Sequence, residues 1–411
     1  PFSFFKKGDN NLSKPTALFI GGVQGDEPGG FHAAALLVTN YSFSNGNVWI
    51  VPNLNFYSII KRSRGVYGDM NRKFHDISKN DPDYESVKRV KKLILKPEVD
   101  LIVHLHDGSG FYNPKYIDKE HNPSRWGQCS IIDQKIIKAD KYSNLEKIAT
   151  KAIENINSNL KDPLHRYYLH NTKTNEGDEE MEKTLTYFAI THGKPAFGNE
   201  ASKNLPTYMR VYYHLLAIEG YLKYMGIKYK RTFKLTPINV YRAINIDTKI
   251  NLYDNQSVLP TKQLKRRINF FPVKMDKTLN FKSNNPLISV HKKGKYYKVQ
   301  YGNRSVTLLK PELLKYDNSI KDVTMIIDNR IQIVPFGTIL NVKKTFFIFK
   351  QKNIRVNVIG YKKKGVKNEI NIHFRKNMIK KRFAIDRKNK IYRVEFYTGK
   401  VYHGMILVKF L

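Results

Sequence analysis

Three stretches of this chain hold residues whose types and spacing could do chemistry. In Gly21-Gly22-Val23-Gln24-Gly25-Asp26-Glu27-Pro28-Gly29-Gly30, Gln24 and Glu27 sit three apart, each able to offer one oxygen to a common point. In Asp100-Leu101-Ile102-Val103-His104-Leu105-His106-Asp107-Gly108, a buried strand reads out into a glycine turn, and strand alternation sends His104 and His106 to the same side. One of the two can bind a metal while its neighbour lines the pocket. In Lys194-Pro195-Ala196-Phe197-Gly198-Asn199-Glu200, a short apolar run ends in a carboxylate. Gln24, Glu27 and His106 plus an open position match the arrangement of a catalytic zinc centre. Glu200 is then a base able to take a proton from water there and hand it to a leaving amine. Singly, each piece has a plainer use: a Gln or Glu in a glycine loop caps a helix, and most carboxylates are structural or solvated. Emergence of all of them at strand ends in one domain reverses that weighting.

A fourth stretch, Lys61 to Phe74, is dense in arginine and lacks helical periodicity, so it reads as an ordered loop. A charge run of this kind is commonly a solvated surface. Asn71-Arg72 beside Phe74 nonetheless suits a carboxylate clamp, because guanidinium grips carboxylate bidentately. Arg64 is placed to reach a carbonyl under attack and stabilise its oxyanion.

The elements that must position these residues alternate in kind. Strands are expected at Ala17–Gly21, Val48–Val51, Asp100–Leu105, Ser130–Asp133 and Pro195–Asn199. Helices are expected at Phe31–Thr39, Tyr84–Leu95, Asn144–Asn157, Glu182–Thr191 and Pro206–Met225. Such alternation predicts an α/β domain, a mainly parallel or mixed sheet flanked by helices, with its site at the carboxyl ends of the strands. After Gly226 the segments shorten to four to eight residues and helical periodicity disappears, apart from a short piece near Pro311–Lys315. Many short strands at this spacing indicate small all-β modules. The expected layout is a catalytic domain over 1–227, a β module over 228–321 and a C-terminal β module, immunoglobulin-like or similar, over 322–411. Basic and aromatic residues interleave in Lys292–Lys298 and Tyr361–Gly365, as solvated hairpin turns or as contacts to an anionic polymer.

The balance of 72 basic against 35 acidic residues, a formal +37, attracts anionic partners: nucleic acid, anionic lipid or an acidic wall polymer. No helix-turn-helix, zinc-finger or RNA-binding signature accompanies the charge, which argues against nucleic acid. A single cysteine, Cys129, excludes an intramolecular disulfide and any cysteine metal cluster. No apolar run approaches the ~18 residues of a spanning helix, so a membrane-spanning chain is not expected. Numbering begins at Pro1 without methionine, so a leader is expected to have been cut off.

Taken in order, Gln24-x-x-Glu27, Arg64, Asn71-Arg72, His106 and Glu200 resemble the carboxypeptidase A-type zinc carboxypeptidases. The resemblance covers the first domain and looks closest to the peptidoglycan DL-carboxypeptidases that set cell shape in helical Gram-negative bacteria. By that resemblance Gln24, Glu27 and His106 would hold one zinc ion and Glu200 would be the general base. Arg64 would polarise the scissile carbonyl, Asn71 and Arg72 would hold the terminal carboxylate, and His104, Trp126 and Thr186 would line the pocket. The wider family has His where Gln24 stands; the subgroup resembles this chain in having Gln. An amide oxygen is neutral like imidazole but a weaker donor, so metal retention is expected to be looser. If Gln24 is not used, His32 and His104 are the substitutes. The implied substrate is the tripeptide stem L-Ala-γ-D-Glu-meso-diaminopimelate in the periplasm, with other cell-shape proteins as further partners. Two readings compete: a non-catalytic peptidoglycan-binding protein with a dead peptidase fold, and a zinc amidohydrolase acting on a small acylated amino acid.

Overall fold

The computed structural model describes residues 2–351 and 353–411. The chain divides into two compact units, one ending at Ile246 and including Asn285–Leu287, the other formed by Asp247–Asn284 and Ile288–Leu411.

The N-terminal unit runs, in chain order, β1 (Phe5–Gly8), β2 (Thr16–Gly21), α1 (Pro28–Asn40), β3 (Tyr41–Ser44) and β4 (Asn47–Val51). It continues with α2 (Phe56–Lys61), α3 (Tyr84–Ile94), β5 (Leu101–Gly108), β6 (Phe111–Tyr112), β7 (His121–Asn122) and β8 (Cys129–Ile132). It finishes with α4 (Leu145–Asn157), β9 (Tyr168–Asn171), α5 (Glu179–Glu182), α6 (Leu185–Thr191), β10 (Ala196–Ser202), α7 (Thr207–Tyr224), β11 (Lys228–Arg231) and α8 (Pro237–Ile244). Seven of the strands form one mixed sheet in the order β1-β4-β2-β5-β10-β8-β9. Its centre, β4-β2-β5-β10, is parallel, and β1 and β8 join antiparallel on either side.

The central strands read as near-continuous apolar runs because helices cover both faces. Ala17–Ile20 and Leu101–Val103 are wholly buried. Strand alternation then sorts the functional strand β5 into two faces. Leu105 and Asp107 turn toward α1 and α7, where Asp107 meets the Gly29 amide and His214. His104 and His106 turn the other way, toward α6. β10 follows the same rule: Phe197 and Asn199 meet Tyr221 and His214 of α7, leaving Gly198 and Glu200 on the histidine face.

Local signals explain several boundaries. Asn144 caps α4 by accepting from the Lys147 amide, and Asn55 caps α2 through the Ser58 amide. Asp83 stands at the start of α3 without capping it, because its carboxylate is held by Lys73 at 2.8 Å. α8 lies beyond the point where helical periodicity was expected to end; its signal is Thr236 as cap with Pro237 in the first turn. Val240 and Ile244 of α8 join the N-terminal core, so that unit extends past residue 227.

The C-terminal unit is almost entirely β. Strands Ile288–Lys293 and Tyr296–Tyr301 form a hairpin, with the basic stretch at 292–298 spanning its Gly294-Lys295 turn and the strand ends on either side. The expected short helix near Pro311–Lys315 is instead the end of a long strand, Arg304–Tyr316. It pairs with Tyr296–Tyr301 on one side and Arg267–Lys274 on the other. A five-residue run is too short to form a stable isolated helix, so the ladder partners decide its conformation. The boundary expected at 321/322 falls inside this unit, where Lys315–Tyr316 pair with Val401–Tyr402. Among the described residues no helix is long and apolar enough to cross a membrane.

Candidate active site

The parallel strands β2, β5 and β10 end at one edge of the sheet, and each leads a candidate residue there. β2 runs into the loop that carries Gln24 and Glu27. Gly22 in that loop has φ +73°, a conformation that favours glycine. Glu27 then starts α1 with Pro28 in its first turn, but makes no side-chain cap bond. Its carboxylate faces the cavity instead. Gly29 lets the helix approach β5 closely: a β-carbon there would lie 2.2 Å from Asp107 Oδ1. In the β5–β10 register Glu200 stands opposite His106 and Gly198 opposite His104. The absent side chain at Gly198 leaves room for the His104 ring, whose Cε1 would otherwise be 3.3 Å from a β-carbon.

These residues line a cavity of about 290 Å³. Gln24, Glu27, Arg64, Asn71, Arg72, His104, His106, Trp126, Thr186 and Glu200 all contribute to its wall. His106 Nδ1 lies 2.9 Å from Glu27 Oε2. The Gln24 amide nitrogen donates to Asp69 Oδ1 at 2.8 Å, and its buried oxygen has no hydrogen-bond partner. A carboxylate only accepts, so Asp69 dictates which end of the Gln24 amide turns to the cavity. His104 is held between His106 Nε2 at 2.5 Å and Thr186 Oγ1 at 2.6 Å. That gives it a supporting contact on both ring nitrogens. His32, weighed as a substitute ligand, lies in α1 and does not line the cavity.

Burial dominates the electrostatics. It pushes Glu27 up to about 8, with Lys203 and Arg64 opposing and Asp107 and Asp26 reinforcing. It also raises Glu200 well above the usual carboxylate range, helped by the nearby Glu27. Burial lowers His106 to about 3 and depresses His104, so both rings are neutral near pH 7. Asp107 behaves differently. Burial raises it, but His214, Arg210 and the Gly29 amide together hold it below its ordinary value. That buried anion braces β5 against α1 and α7 directly behind His106.

Asn71 and Arg72, the expected clamp, line the same cavity. Asp69 caps the short turn Met70–Arg72 through the Asn71 amide, and also receives Arg64 Nε at 2.9 Å. Asn71 Oδ1 accepts from the Leu185 amide at 3.1 Å, and Arg72 Nε lies 3.5 Å from Glu180. Arg64 Nη1 reaches Glu27 Oε1 at 3.4 Å.

Two residues with direct contacts here were not singled out from sequence. Asp69 is two residues before Asn71, and Lys203 is three beyond Glu200, with Nζ 3.5 Å from Glu27 Oε1. Neither spacing carries a signal, since Asp69 meets Gln24 and Lys203 meets Glu27 only through the fold.

The donor types fit a metal of the zinc type: a buried amide oxygen without partner, a carboxylate and a neutral imidazole line one cavity. Among the described residues no three His, Cys, Asp or Glu side chains group as a metal site; here the third donor is an amide. A larger cavity of about 1260 Å³ lies in the C-terminal unit, where Arg393, Glu395 and Tyr397 line its floor without any imidazole.

Comparison with known proteins matches residues 5–245 to the family described as the catalytic part of carboxypeptidases controlling helical cell shape. The chain belongs to that family. Residues 316–411 match the C-terminal domain of metallo-carboxypeptidases, so the chain's enzyme class is metallo-carboxypeptidase. Crystal structures of the Helicobacter pylori cell shape determinant Csd4 are similar along the whole chain. The apo form and a tripeptide-bound form each show 42% identity and TM-score 0.93, covering 100% of both chains. A form bound to mDAP, described as a D,L-carboxypeptidase, shows 41% identity and TM-score 0.92, covering 99% of this chain and 100% of that one. No curated protein matches.

Proposed function

We propose that this member of the family is a zinc-dependent D,L-carboxypeptidase of the periplasm. Its substrate would be the peptidoglycan stem L-Ala-γ-D-Glu-meso-diaminopimelate, which it shortens to the dipeptide. The observation that carries the reading is that Gln24, Glu27 and His106 line one cavity with the partly buried Glu200, a cavity that also holds Asn71 and Arg72. The relatives solved with tripeptide and with mDAP support the substrate class.

Gln24 Oε1, Glu27 and His106 would hold the zinc ion. The chemistry such an ion supplies is acidification of water and polarisation of the scissile carbonyl. Glu200, kept basic by burial and by Glu27, takes the proton of the attacking water and returns it to the leaving amine. Arg64, anchored by Asp69, donates to the oxygen on which negative charge develops, worth ~3 kcal/mol for one well-aimed donor. Arg72 and Asn71 receive the terminal carboxylate, which restricts the enzyme to chain ends. His104, held by Thr186, fixes the His106 ring, and Trp126 contributes to the cavity wall. The excess of basic side chains draws the enzyme toward a wall rich in carboxylates.

Digestion of purified sacculi, with and without a chelator, tests the reading. Tripeptide muropeptides should disappear with a matched gain of dipeptides, only without chelator. Undiminished tripeptides under metal-replete conditions would refute it.

A further inference from the structure

The mechanism above leaves Lys203 without a task, although its side chain is aimed into the cavity. Its backbone is fixed on both sides: the amide donates to Gly108 O at 2.7 Å, and its carbonyl accepts from Arg210 Nη2 at 2.6 Å. Arg210 is in turn held by the buried Asp107. The ammonium lies 3.2 Å from Asp26 Oδ2, and the side chain is about one-third exposed. An ammonium has three donors, and Asp26 takes one.

Contacts across the cavity run in a definite order. Lys203 reaches Glu27, Glu27 meets Arg64, Arg64 is held by Asp69, and Asp69 accepts from the Asn71 amide. The donor set therefore lies between Lys203 at one end and the Asn71–Arg72 clamp at the other. A substrate whose terminal carboxylate rests on the clamp crosses the donor set with its scissile carbonyl. The residue before that bond then arrives beside Lys203, Ser109 and Trp126. In the stem peptide that residue is D-Glu joined through its side-chain carboxyl, so its α-carboxylate is free. An ordinary α-linked peptide carries no carboxylate at that position.

Resting on the substrate class proposed above, we infer that Lys203 binds the α-carboxylate of the γ-linked D-Glu and makes the enzyme selective for that linkage. The plainer use of Lys203 is as a counter-ion to Asp26 and Glu27. The two differ in what they discriminate. A counter-ion affects every substrate alike, whereas a carboxylate ligand affects only stems that carry the charge.

The test compares the synthetic tripeptide with its isoglutamine counterpart, in which the D-Glu α-carboxylate is a carboxamide. Release of diaminopimelate is followed by mass for the wild type, Lys203→Met and Lys203→Arg, each matched for bound zinc. The wild type should favour the carboxylate form by about 10- to 100-fold in kcat/KM, the usual size of one charge-assisted contact. Lys203→Met should lower kcat/KM for the carboxylate form alone and erase the preference, while Lys203→Arg retains most of it. Equal wild-type rates on the two substrates would overturn the assignment even if Lys203→Met folds poorly. An equal loss on both substrates in Lys203→Met would also overturn it. Failure of the zinc-loaded wild type on the plain tripeptide would instead overturn the function proposed above, and this inference with it.

Discussion

Replacing Asp69 by alanine isolates the step by which an amide becomes a dependable metal donor. Asp69 accepts from Gln24 Nε2 at 2.8 Å, from Arg64 Nε at 2.9 Å and from the Asn71 amide at 2.9 Å. Because the carboxylate has no proton to give, a flipped Gln24 would set oxygen against oxygen. The native amide therefore turns its oxygen away from Asp69, in the cavity that His106 and Glu27 also line. Loss of one charge-assisted hydrogen bond costs ~1.5–3 kcal/mol. At ~1.4 kcal/mol per decade that is roughly 10- to 100-fold in affinity. Groups that orient metal ligands change affinity by a similar factor, about 10–100-fold. The expected outcome is a zinc Kd weaker by that factor in Asp69→Ala, read by competition of metal-free protein with a chelating dye, so that turnover is not needed. Asp69→Asn, which can still offer an oxygen to Gln24, should lose less. The alanine variant should also raise KM, because the turn bearing Asn71 and Arg72 loses its cap. If Asp69→Ala holds zinc as tightly as the wild type, the amide-orientation argument is wrong.

Further outcomes are expected. Glu200→Gln should reduce kcat by about 10²–10⁴-fold while zinc content stays at the wild-type level; full turnover in that variant would remove Glu200 as the base. Arg72→Ala should raise KM for the tripeptide far more than it changes zinc affinity, and a calorimetric zinc titration separates the two effects. Zinc binding should weaken by about tenfold per pH unit below pH 8, because burial pushes Glu27 up to about 8 in the metal-free protein and ligation requires its deprotonation. The sign reverses for stability: a raised carboxyl favours the protonated fold, so the metal-free Tm should fall as pH rises from 4.5 toward 8, and zinc should flatten the slope. Gly29→Ala should destabilise by ~1–3 kcal/mol, seen as a lower Tm, because the new methyl meets Asp107 Oδ1 and Arg210 Cβ in a filled space.

Much of the N-terminal fold is legible from local pattern. The five strands expected there all form, because each is an apolar run bounded by turn residues. Where the pattern is weak, pairing partners decide. Pro311–Lys315 is a strand because Arg267–Lys274 lies beside it. The short helix α8 escapes a search for long periodicity, although Thr236-Pro237 announces it.

The same division holds at the site. Residue type and strand-end position single out Gln24, Glu27, His106 and Glu200, because alternation and the glycine turns are properties of the chain itself. The facing of Glu200 with His106 depends on the β5–β10 register, which the long intervening chain leaves open. Asp69 and Lys203 come to Gln24 and Glu27 through tertiary packing alone. The near-complete burial that raises Glu27 and lowers His106 belongs equally to the assembled sheet and helices. Sequence thus determined which donors and which base were available, since those are matters of side-chain chemistry and local period. Only the folded chain decided their protonation, the orientation of the amide and the cation at the far end of the cavity, because dielectric and direction exist only between surfaces already brought together.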